Sequence, residues 1–508
     1  MASRMQRLVA AVRRPRFDQI LVPVFLAAFA LARAGRFEER DPYWQARAGM
    51  ENLAGWPLAR PDTWSWSGVE GLWYQNSPLW NSLLGLAYTG GGFWGFFAFT
   101  SLVLIGYFAM AYLLALRLGA RSLPALAGIL AAVSPALAML SPRGTLVVEI
   151  VMLASVLVVV EWSRRDTSSG PIWLMSTLLA LTAGALSSLG NWLHLSFLLL
   201  GPAMAGVWAV VWLLTDLPWS RRIAYSLAGA LGWVGGVLVS PYGLWLGLER
   251  SRVVQEVCAG LILEWTTPFS TEISKAFWLM VLAATLAAVV VTGWLVHQWR
   301  SRQWGSAETG LLATALIGVP SAFAGWFAIR FLGIALLILA PAVAVVVTGG
   351  LDGLRRRWRG RPVSRWREYS SGAFWRVVTA ITLVVLSPGL AYLVAQHSVP
   401  AEAGLLSKLP TNCRLFSTGA IGGASVLVRP DVLVWMDGRA DFYGRAHILD
   451  AYAYFWQTAP SLVPPGATCV VLDSSAEDSR AISASIDASP QWRLVATDGS
   501  FRLWLPAN

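Results

Sequence analysis

The chain has 508 residues, of which 56% are hydrophobic and 13% charged, and its formal net charge is +11. A soluble protein of this composition would expose large apolar patches, so the sequence predicts a membrane protein with several spans. The arginines follow the ends of the apolar segments, as membrane topology requires, and no nucleic-acid partner is expected.

Hydropathy predicts about eleven spans, each near the ~20 apolar residues that a bilayer core requires. They are residues Asp18–Gly35, Phe93–Leu116, Leu123–Leu140, Thr145–Val160, Ile172–Leu189, Leu195–Leu214, Ile223–Val239, Ala276–Val296, Gly310–Pro320, Phe331–Thr348 and Val377–Ala395. The first is interpreted as an uncleaved helix rather than a signal peptide. After the weak span that ends at Pro320, a tight outer hairpin is expected.

The predicted fold is an all-α polytopic membrane protein with a small C-terminal α/β domain. Residues 1–17 form an Arg-rich N-terminus, residues 18–398 the transmembrane domain with an outer loop at 36–92, and residues 399–508 the soluble domain. Arginine near span ends stays cytoplasmic. The prediction is therefore a multi-pass protein of the plasma membrane whose N-terminus is cytoplasmic and whose C-terminal domain is extracytoplasmic.

In the outer loop, Asp41-Pro42 predicts a helix N-cap followed by proline in the first turn, with the helix stopping at Gly55. After this helix the outer loop contains five tryptophans: Trp56, Trp64, Trp66, Trp73 and Trp80. Their expected place is the headgroup region of the membrane, in preference to a surface that stacks on sugars.

The C-terminal domain is predicted to contain four short strands, two helices and a closing hairpin. The strands are Arg414–Thr418, Ala424–Val428, Val432–Met436 and Thr468–Leu472, the helices lie near Ala446–Trp456 and Ser479–Ser489, and the hairpin joins Trp492–Ala496 to Phe501–Leu505. Cys413 and Cys469 form either a disulfide or two buried thiols.

Several ionisable residues lie near the outer ends of the spans. Glu149, one turn inside its span, is either a functional residue or the partner of Arg143 in a structural ion pair. Arg330 lies among apolar residues and either binds a carboxylate or phosphate or extends to the headgroups. Asn191 and His194, one helical turn apart, are expected to share a face.

Further candidates come from the loops. Asp41 is either a general base or only a helix cap, with Glu38, Glu39 and Asp62 as neighbouring acids. Tyr242 and Glu264 lie on the same predicted side. In the run MDGRADFYGR, a local salt-bridged turn of Asp437, Arg439 and Asp441 is favoured over a ligand site. The sequence contains no GxSxG, Walker A, HExxH or dinucleotide motif and no metal-ligand spacing, so no cofactor is expected.

These segments together resemble a bacterial family of polytopic proteins similar to the GT-C superfamily of membrane glycosyltransferases. The motifs are DPYWQARAGMENLAGWPLARPDTWSWS, SPRGTLVVEI, GNWLHLSF, SPYGLWLG, ILEWTTP, FAIRFLGIALLILAPAVA and MDGRADFYG. One departure is notable. Where such proteins often have a His-Glu-Trp-Leu-like run, this chain has Gln75, Asn76, Ser77, Pro78, Leu79 and Trp80.

The resemblance implies a polyprenyl-phosphate sugar as donor, a glycan, lipid or protein of the cell envelope as acceptor, and contact with membrane lipids. It assigns the base to Asp41 and the leaving phosphate to Arg330. The remaining substrate-binding candidates are His194, Asn191, Glu149, Arg143, Tyr242, Glu264, Asp437, Arg439 and Asp441. The alternatives are a lipid or polysaccharide transporter, or a non-catalytic protein that binds envelope polymer.

Overall fold

The computed structural model describes residues 17–35, 40–137, 139–164, 170–270, 275–301, 306–359 and 398–507. A helical part comes first, and a domain built around a five-stranded sheet follows. The predicted span at Val377–Ala395 lies outside the described residues.

The helical part contains twelve α-helices in its described residues. They are α1 (Phe17–Ala34), α2 (Asp41–Leu53), α3 (Pro78–Arg117), α4 (Ser122–Val133), α5 (Gly144–Ser163), α6 (Ile172–Leu193), α7 (Phe197–Leu213), α8 (Trp219–Leu238), α9 (Gly243–Cys258), α10 (Lys275–Arg300), α11 (Ser306–Ala324) and α12 (Ile329–Arg359). A short hairpin of β1 (Ala59–Pro61) and β2 (Leu72–Tyr74) lies between α2 and α3.

Each of the ten predicted spans in the described residues overlaps a helix, although the one predicted at Leu123–Leu140 extends beyond α4, which ends at Val133. Five helical segments there are long and apolar enough to cross a bilayer alone: Pro78–Arg117, Gly144–Ser163, Ile172–Leu193, Phe277–Arg300 and Ile329–Leu354. A sixth crossing is obtained if α8 and α9, bent by 76°, count as one span. The total of eleven therefore stays a prediction.

Two helices differ from their predicted form. Helix α9 was not expected, because its charged residues give a weakly apolar stretch. Helix α11 continues through Pro320 and ends at Ala324, so the expected hairpin shrinks to the four residues before α12. Proline is tolerated in a membrane helix when neighbouring groups satisfy the freed carbonyl.

Helix α2 forms where the Asp-Pro pair predicted it, and it ends just before Gly55. The N-cap prediction is wrong: Arg40 occupies the N-cap position, and no side chain caps the helix. The Asp41 carboxylate instead accepts a hydrogen bond from Trp44 Nε1 at 2.9 Å.

Three of the five tryptophans lie in the protein interior, so the headgroup prediction is wrong for them. Trp64, Trp73 and Trp80 are at most 5% exposed. The indole of Trp64 donates to Glu51 Oε1, and that of Trp80 donates to Gln45 Oε1. Buried indoles require such partners, which the polar residues of α2 supply.

Helices α2 and α3 cross at a pair of glycines. A Cβ atom on Gly49 would lie 1.7 Å from the carbonyl oxygen of Asn81, and one on Gly85 would lie 2.5 Å from the backbone of Gly49. The backbones therefore touch, and this contact fixes α2 against the first long membrane helix.

The C-terminal domain consists of α13 (Ala403–Leu406), β3 (Arg414–Phe416), α14 (Gly419–Val428), β4 (Leu433–Val434), α15 (Ala440–Phe455), β5 (Cys469–Asp473), α16 (Glu477–Asp487), β6 (Trp492–Asp498) and β7 (Phe501–Pro506). Its sheet has the order β4-β3-β5-β7-β6. The first three strands are parallel, and β7 pairs antiparallel with β5 and β6. A disulfide joins Cys413 to Cys469 at the starts of β3 and β5, which decides between the two predicted states.

The predicted strand Ala424–Val428 is wrong, because these residues belong to α14. The side chain of Thr418 caps this helix by accepting from the Ile421 amide. Gly423 approaches Trp44 of α2 so closely that a Cβ atom there would lie 3.2 Å from the indole. Small residues on one face thus let α14 pack on α2, and this packing outweighs the strand preference of the valines.

The outer loop also adds to the edge of the sheet. Val434 donates its amide to the Trp64 carbonyl, and Trp66 donates its amide to the Val434 carbonyl. The rings of Trp66 and Trp435 lie 4.6 Å apart. The two parts of the protein therefore share backbone hydrogen bonds as well as apolar contacts.

We expect Gly49→Ala to destabilise the protein by ~1–3 kcal/mol or more, because the added methyl group overlaps the backbone of α3. Gly90→Ala is the matched control, since nothing lies within 4 Å of a Cβ atom there. The measurement is the midpoint of thermal aggregation of both variants in detergent. Equal midpoints for Gly49→Ala and the wild type would contradict the crossing described above.

Candidate active site

A cavity of about 360 Å³ opens among the ends of α5, α7, α9 and α12. We call it the apolar cavity, because much of its wall consists of Leu195, Leu199, Leu200, Val254, Phe331 and Ile334. Its polar side chains include Asn76, Glu149, His194, Ser251, Gln255 and Arg330. An aliphatic wall with one cation suits a ligand that has an apolar chain and an anionic group.

Arg330 is the cation of this cavity. Its guanidinium carbon lies 4.9 Å from the centre of the Trp265 ring, at cation–π distance. No ion pair holds it within the described part of the chain. The negative charges of Glu264 and Glu149 interact electrostatically with the Arg330 guanidinium, although neither carboxylate forms an ion pair with it. The position inside a cavity favours the predicted anion partner over extension to the headgroups.

Arg143 forms an ion pair with Glu264, and its charge also acts on Glu149, the partner that one interpretation of the sequence gave it. Glu149 is 6% exposed, and its Oε2 has no hydrogen-bond partner among the described residues. Burial alone would raise the pKa of Glu264, but Arg143 and Arg330 outweigh burial and lower it. Glu264 is thus an anion that is paired with Arg143 and further stabilised by the charge of Arg330.

His194 lines the apolar cavity, but it does not share a helix face with Asn191. Helix α6 ends at Leu193, and His194 is extended, so the spacing of one helical turn no longer applies. Asn191 is buried and donates to the Ser187 carbonyl. The amide of Ser196 donates to His194 Nδ1, which leaves the ring proton on Nε2. Burial lowers the pKa of His194 to about 3, so the ring is neutral.

Asp41 lies where α2 meets the C-terminal domain. Burial raises its pKa to about 7, against the hydrogen bond from Trp44, and the negative charges of Glu264 and Asp441 add to the rise. Gly438 faces it so closely that a Cβ atom there would lie 2.3 Å from Asp41 Oδ1. A carboxylate that titrates near neutrality is suited to proton transfer.

The free thiol of Cys258, at the end of α9, shows how these groups converge. The charges of Asp441, Arg330, Glu264 and Asp41 all act on it. Groups from the outer loop, from α12 and from the C-terminal domain therefore lie close enough to Cys258 for their charges to act on it.

In the MDGRADFYGR run, Arg439 is 1% exposed and forms ion pairs with Asp437 (2.7 Å) and Asp62 (2.8 Å). Its guanidinium also stacks on Trp64, with 4.2 Å from its central carbon to the ring centre. Asp437 and Arg439 therefore form the ion pair of the favoured turn, but the second carboxylate is Asp62 of the outer loop and not the predicted Asp441. Burial would raise the pKa of the Asp62 carboxyl, but the charge of Arg439 and the hydrogen bonds from Arg439, Ser65 and the Trp64 amide together lower it.

A second cavity, of about 380 Å³, lies beside Asp441. We call it the polar cavity, and its lining is Glu70, Gly71, Leu72, Trp73, Tyr74, Arg250, Val253, Asp441 and Phe442. Helix α9 lines both cavities, with Arg250 and Val253 on one and Ser251, Val254 and Gln255 on the other.

Gln75 and Asn76, which stand where a His-Glu pair was expected, have different surroundings. Gln75 is fully buried and exchanges hydrogen bonds with Asn52 and Asn81. Asn76 lines the apolar cavity. Tyr242, a predicted site residue, donates to the Gln75 carbonyl and supports this segment from behind.

Sequence reasoning missed the residues of α9 and Trp265. Their signal was the charged run ERSR, which interrupts an apolar stretch directly after SPYG and is typical of a helix lying along a surface. Among the residues that the structure covers, no group of three or more His, Cys, Asp or Glu side chains could hold a metal ion.

The fold is similar to that of two solved membrane glycosyltransferases of the GT-C superfamily. For the oligosaccharyltransferase of Archaeoglobus fulgidus, the TM-score is 0.58 at 11% identity, over 93% of this chain and 72% of the other. The same AglB enzyme in complex with an inhibitory peptide and a dolichol-phosphate gives 0.57 at 11% identity, over 97% and 74%.

ArnT from Cupriavidus metallidurans bound to undecaprenyl phosphate gives a TM-score of 0.55 at 12% identity, over 96% of this chain and 97% of ArnT. No protein-family model and no curated protein matches the sequence. The predicted resemblance is therefore confirmed for the fold, and five described helical segments are long and apolar enough to cross a membrane.

We expect Arg439→Met to destabilise the protein by ~3–5 kcal/mol, because Asp437 and Asp62 would then be buried without a counter-ion. The exposed pair Arg502–Asp487 provides the control. Arg502→Met should cost no more than ~1 kcal/mol. Limited proteolysis and thermal aggregation measure both. If Arg439→Met were as stable as Arg502→Met, the network would not join the two parts.

Proposed function

We propose that this chain is a membrane glycosyltransferase that transfers a sugar from a polyprenyl-phosphate donor to a cell-envelope acceptor. The observation that carries the proposal is Arg330, a cation without an ion pair in the described residues, inside a mainly aliphatic cavity that Glu149 also lines. The GT-C fold agrees with it, and the ArnT structure of that fold is bound to undecaprenyl phosphate.

In this proposal the donor occupies the apolar cavity. The leucines and Val254 contact the first part of the polyprenyl chain, and Arg330 binds the phosphate with its planar fork of N–H groups. Trp265 stacks on the guanidinium and fixes its plane. His194, whose Nε2 carries the ring proton, and Asn76 are hydrogen-bond donors for the phosphate or the sugar. Glu149 and Gln255 accept from sugar hydroxyls.

Asp41 acts as the general base. It removes the proton of the acceptor hydroxyl while the oxygen attacks the anomeric carbon from the face opposite the phosphate. The bond from that carbon to the phosphate oxygen breaks, and its electron pair leaves with polyprenyl phosphate, whose charge Arg330 stabilises. The anomeric configuration inverts. Gln75 and Asn76 cannot accept a proton in place of the expected His-Glu pair, so the base role stays with Asp41.

We place this site on the extracytoplasmic side. The arginine-rich loops mark the opposite side as cytoplasmic. The Cys413–Cys469 disulfide supports the same orientation, because disulfides persist in oxidising compartments.

A second candidate is a non-catalytic protein that binds an envelope polymer. The specific observation in its favour is Asn76, which lines the apolar cavity where relatives are expected to carry a titratable residue. In that case the lipid donor would bind without turnover.

The test is to incubate the purified full chain in nanodiscs with a panel of radiolabelled polyprenyl-phosphate sugars and an envelope extract. We expect at least one donor to release its lipid phosphate and to label an acceptor. Asp41→Asn should lower the rate by ~10²–10⁴-fold, the range for a general base. Asp450→Asn, on the exposed face of α15, is the matched control. Donor binding without turnover would favour the second candidate.

The pH dependence follows from the pKa of Asp41, which lies at about 7. A base must be deprotonated, so kcat/KM should rise as the pH increases towards 7 and level off above it. The rate profile of the wild type between pH 5 and 9 measures this limb. A flat profile across pH 6–8 would remove Asp41 from the chemical step.

We expect Arg330→Gln to lower kcat/KM for the donor by ~10²–10³-fold, as for the loss of other anion-stabilising groups. Arg330→Lys should retain part of the activity, because the charge remains but the bidentate geometry is lost. Arg252→Gln, on the exposed face of α9, is the control. An unchanged donor KM and kcat in Arg330→Gln would show that the phosphate binds elsewhere.

A further inference from the structure

The polar cavity has a different chemistry from the apolar one. Carboxylates line it at Glu70 and Asp441, a guanidinium lines it at Arg250, and aromatic rings line it at Trp73 and Tyr74. Its volume of about 380 Å³ lies in the range of sites for small ligands, ~300–1,000 Å³. Hydrogen-bond donors, acceptors and flat apolar rings are thus all present within one small space.

The cationic group is held in a fixed position. The central carbon of Arg250 lies 4.2 Å from the centre of the Tyr74 ring. Tyr74 in turn meets the edge of Tyr242, with ring centres 5.8 Å apart. The Nε atom of Arg250 is buried and has no hydrogen-bond partner in the part of the chain that the structure describes. A buried donor of this kind is costly unless a ligand or water satisfies it.

The polar cavity is also coupled to the proposed base. Asp441 lines the cavity, and its negative charge acts on Asp41. Glu264, next to the Trp265 that lines the apolar cavity, acts on Asp41 as well. Gly438, three residues before Asp441, also faces Asp41, since a Cβ atom there would lie 2.3 Å from Asp41 Oδ1. Asp41 thus contacts the segment that contributes Asp441 to the polar cavity, as a base that serves an acceptor in this cavity requires.

We propose that the polar cavity is the acceptor site and that it binds a carbohydrate. This inference rests on the proposed transferase function and specifies its acceptor. The hydroxyls of a sugar donate to Glu70 and Asp441 and accept from Arg250, and its C–H face packs on Tyr74. A lipid tail would require a mainly aliphatic wall. Two aliphatic side chains, Leu72 and Val253, line the polar cavity, whereas six line the apolar cavity.

The experiment measures binding in the absence of donor. The purified full chain in nanodiscs is titrated with short linear hexose and pentose oligosaccharides, and tryptophan fluorescence and calorimetry record binding. We expect at least one oligosaccharide to bind saturably. Its Kd should increase at least tenfold in Tyr74→Ala and in Glu70→Gln. Tyr74→Phe keeps the ring, so it should bind with nearly the affinity of the wild type, which separates loss of stacking from misfolding.

Glu256→Gln is the control, because Glu256 is on the exposed face of α9 and lines neither cavity. The inference is overturned if no oligosaccharide binds, or if Tyr74→Ala binds as tightly as the wild type. It is also overturned if a peptide acceptor, tested in parallel, binds in a manner that depends on Tyr74 while sugars do not. Tyr74-dependent sugar binding without any transfer would sustain the inference and refute only the transferase function.

Discussion

The arrangement of this protein depends on the Arg439 guanidinium, which is buried between two carboxylates from different parts of the chain. Asp437 belongs to the C-terminal domain and Asp62 to the outer loop, and both contact Arg439. A buried charge is tolerated only when its partners are in place. The domain therefore docks in one position on the loop, and that position brings Asp441 and Gly438 towards Asp41.

Near the Arg439 ion pairs, segments far apart in sequence contribute the candidate reactive groups. Asp41 comes from the start of the outer loop, Arg330 from the beginning of α12, and Asp441 from the first turn of α15. Each is placed by an ordinary packing feature. Two glycines fix α2, Trp265 covers Arg330, and α14 packs on α2 through Gly423.

Helix α9 gives the site its two compartments. It follows α8 at an angle of 76°, so its axis departs from that of the preceding helix. Neighbouring residues along it line opposite cavities, as the helical repeat requires. The chain thus separates an aliphatic space from a polar one with a single amphipathic element.

Much of the fold could be predicted from the sequence, because membrane helices are long apolar segments that a hydropathy profile identifies. Ten predicted spans overlap helices, and the closing hairpin of Trp492–Ala496 and Phe501–Leu505 is confirmed by β6 and β7. The failures have a common cause. Contacts between distant segments determine three features that were predicted wrongly or missed. These are the helical conformation of the valines in α14, the burial of tryptophans in the outer loop and the formation of α9.

For the candidate site, too, the sequence predicted some features correctly and others wrongly. Sidedness brought Asp41, Glu264 and Arg330 onto one predicted surface, and in the structure the charge of Glu264 acts on both Asp41 and Arg330. Local spacing was less informative. The spacing between Asn191 and His194 suggested a shared helix face, but α6 ends between them. Whether a helix ends depends on its tertiary neighbours, which a spacing rule does not include.

The position of α15 so late in the chain has a consequence for biogenesis. The segment that brings Asp441 beside Asp41 begins at Ala440, after every other described contributor to the site has been synthesised. Ribosomes make proteins from the N-terminus, so the membrane helices insert before this segment exists. A nascent chain therefore has an incomplete site. The site is complete only after the C-terminal domain has folded and docked on the outer loop.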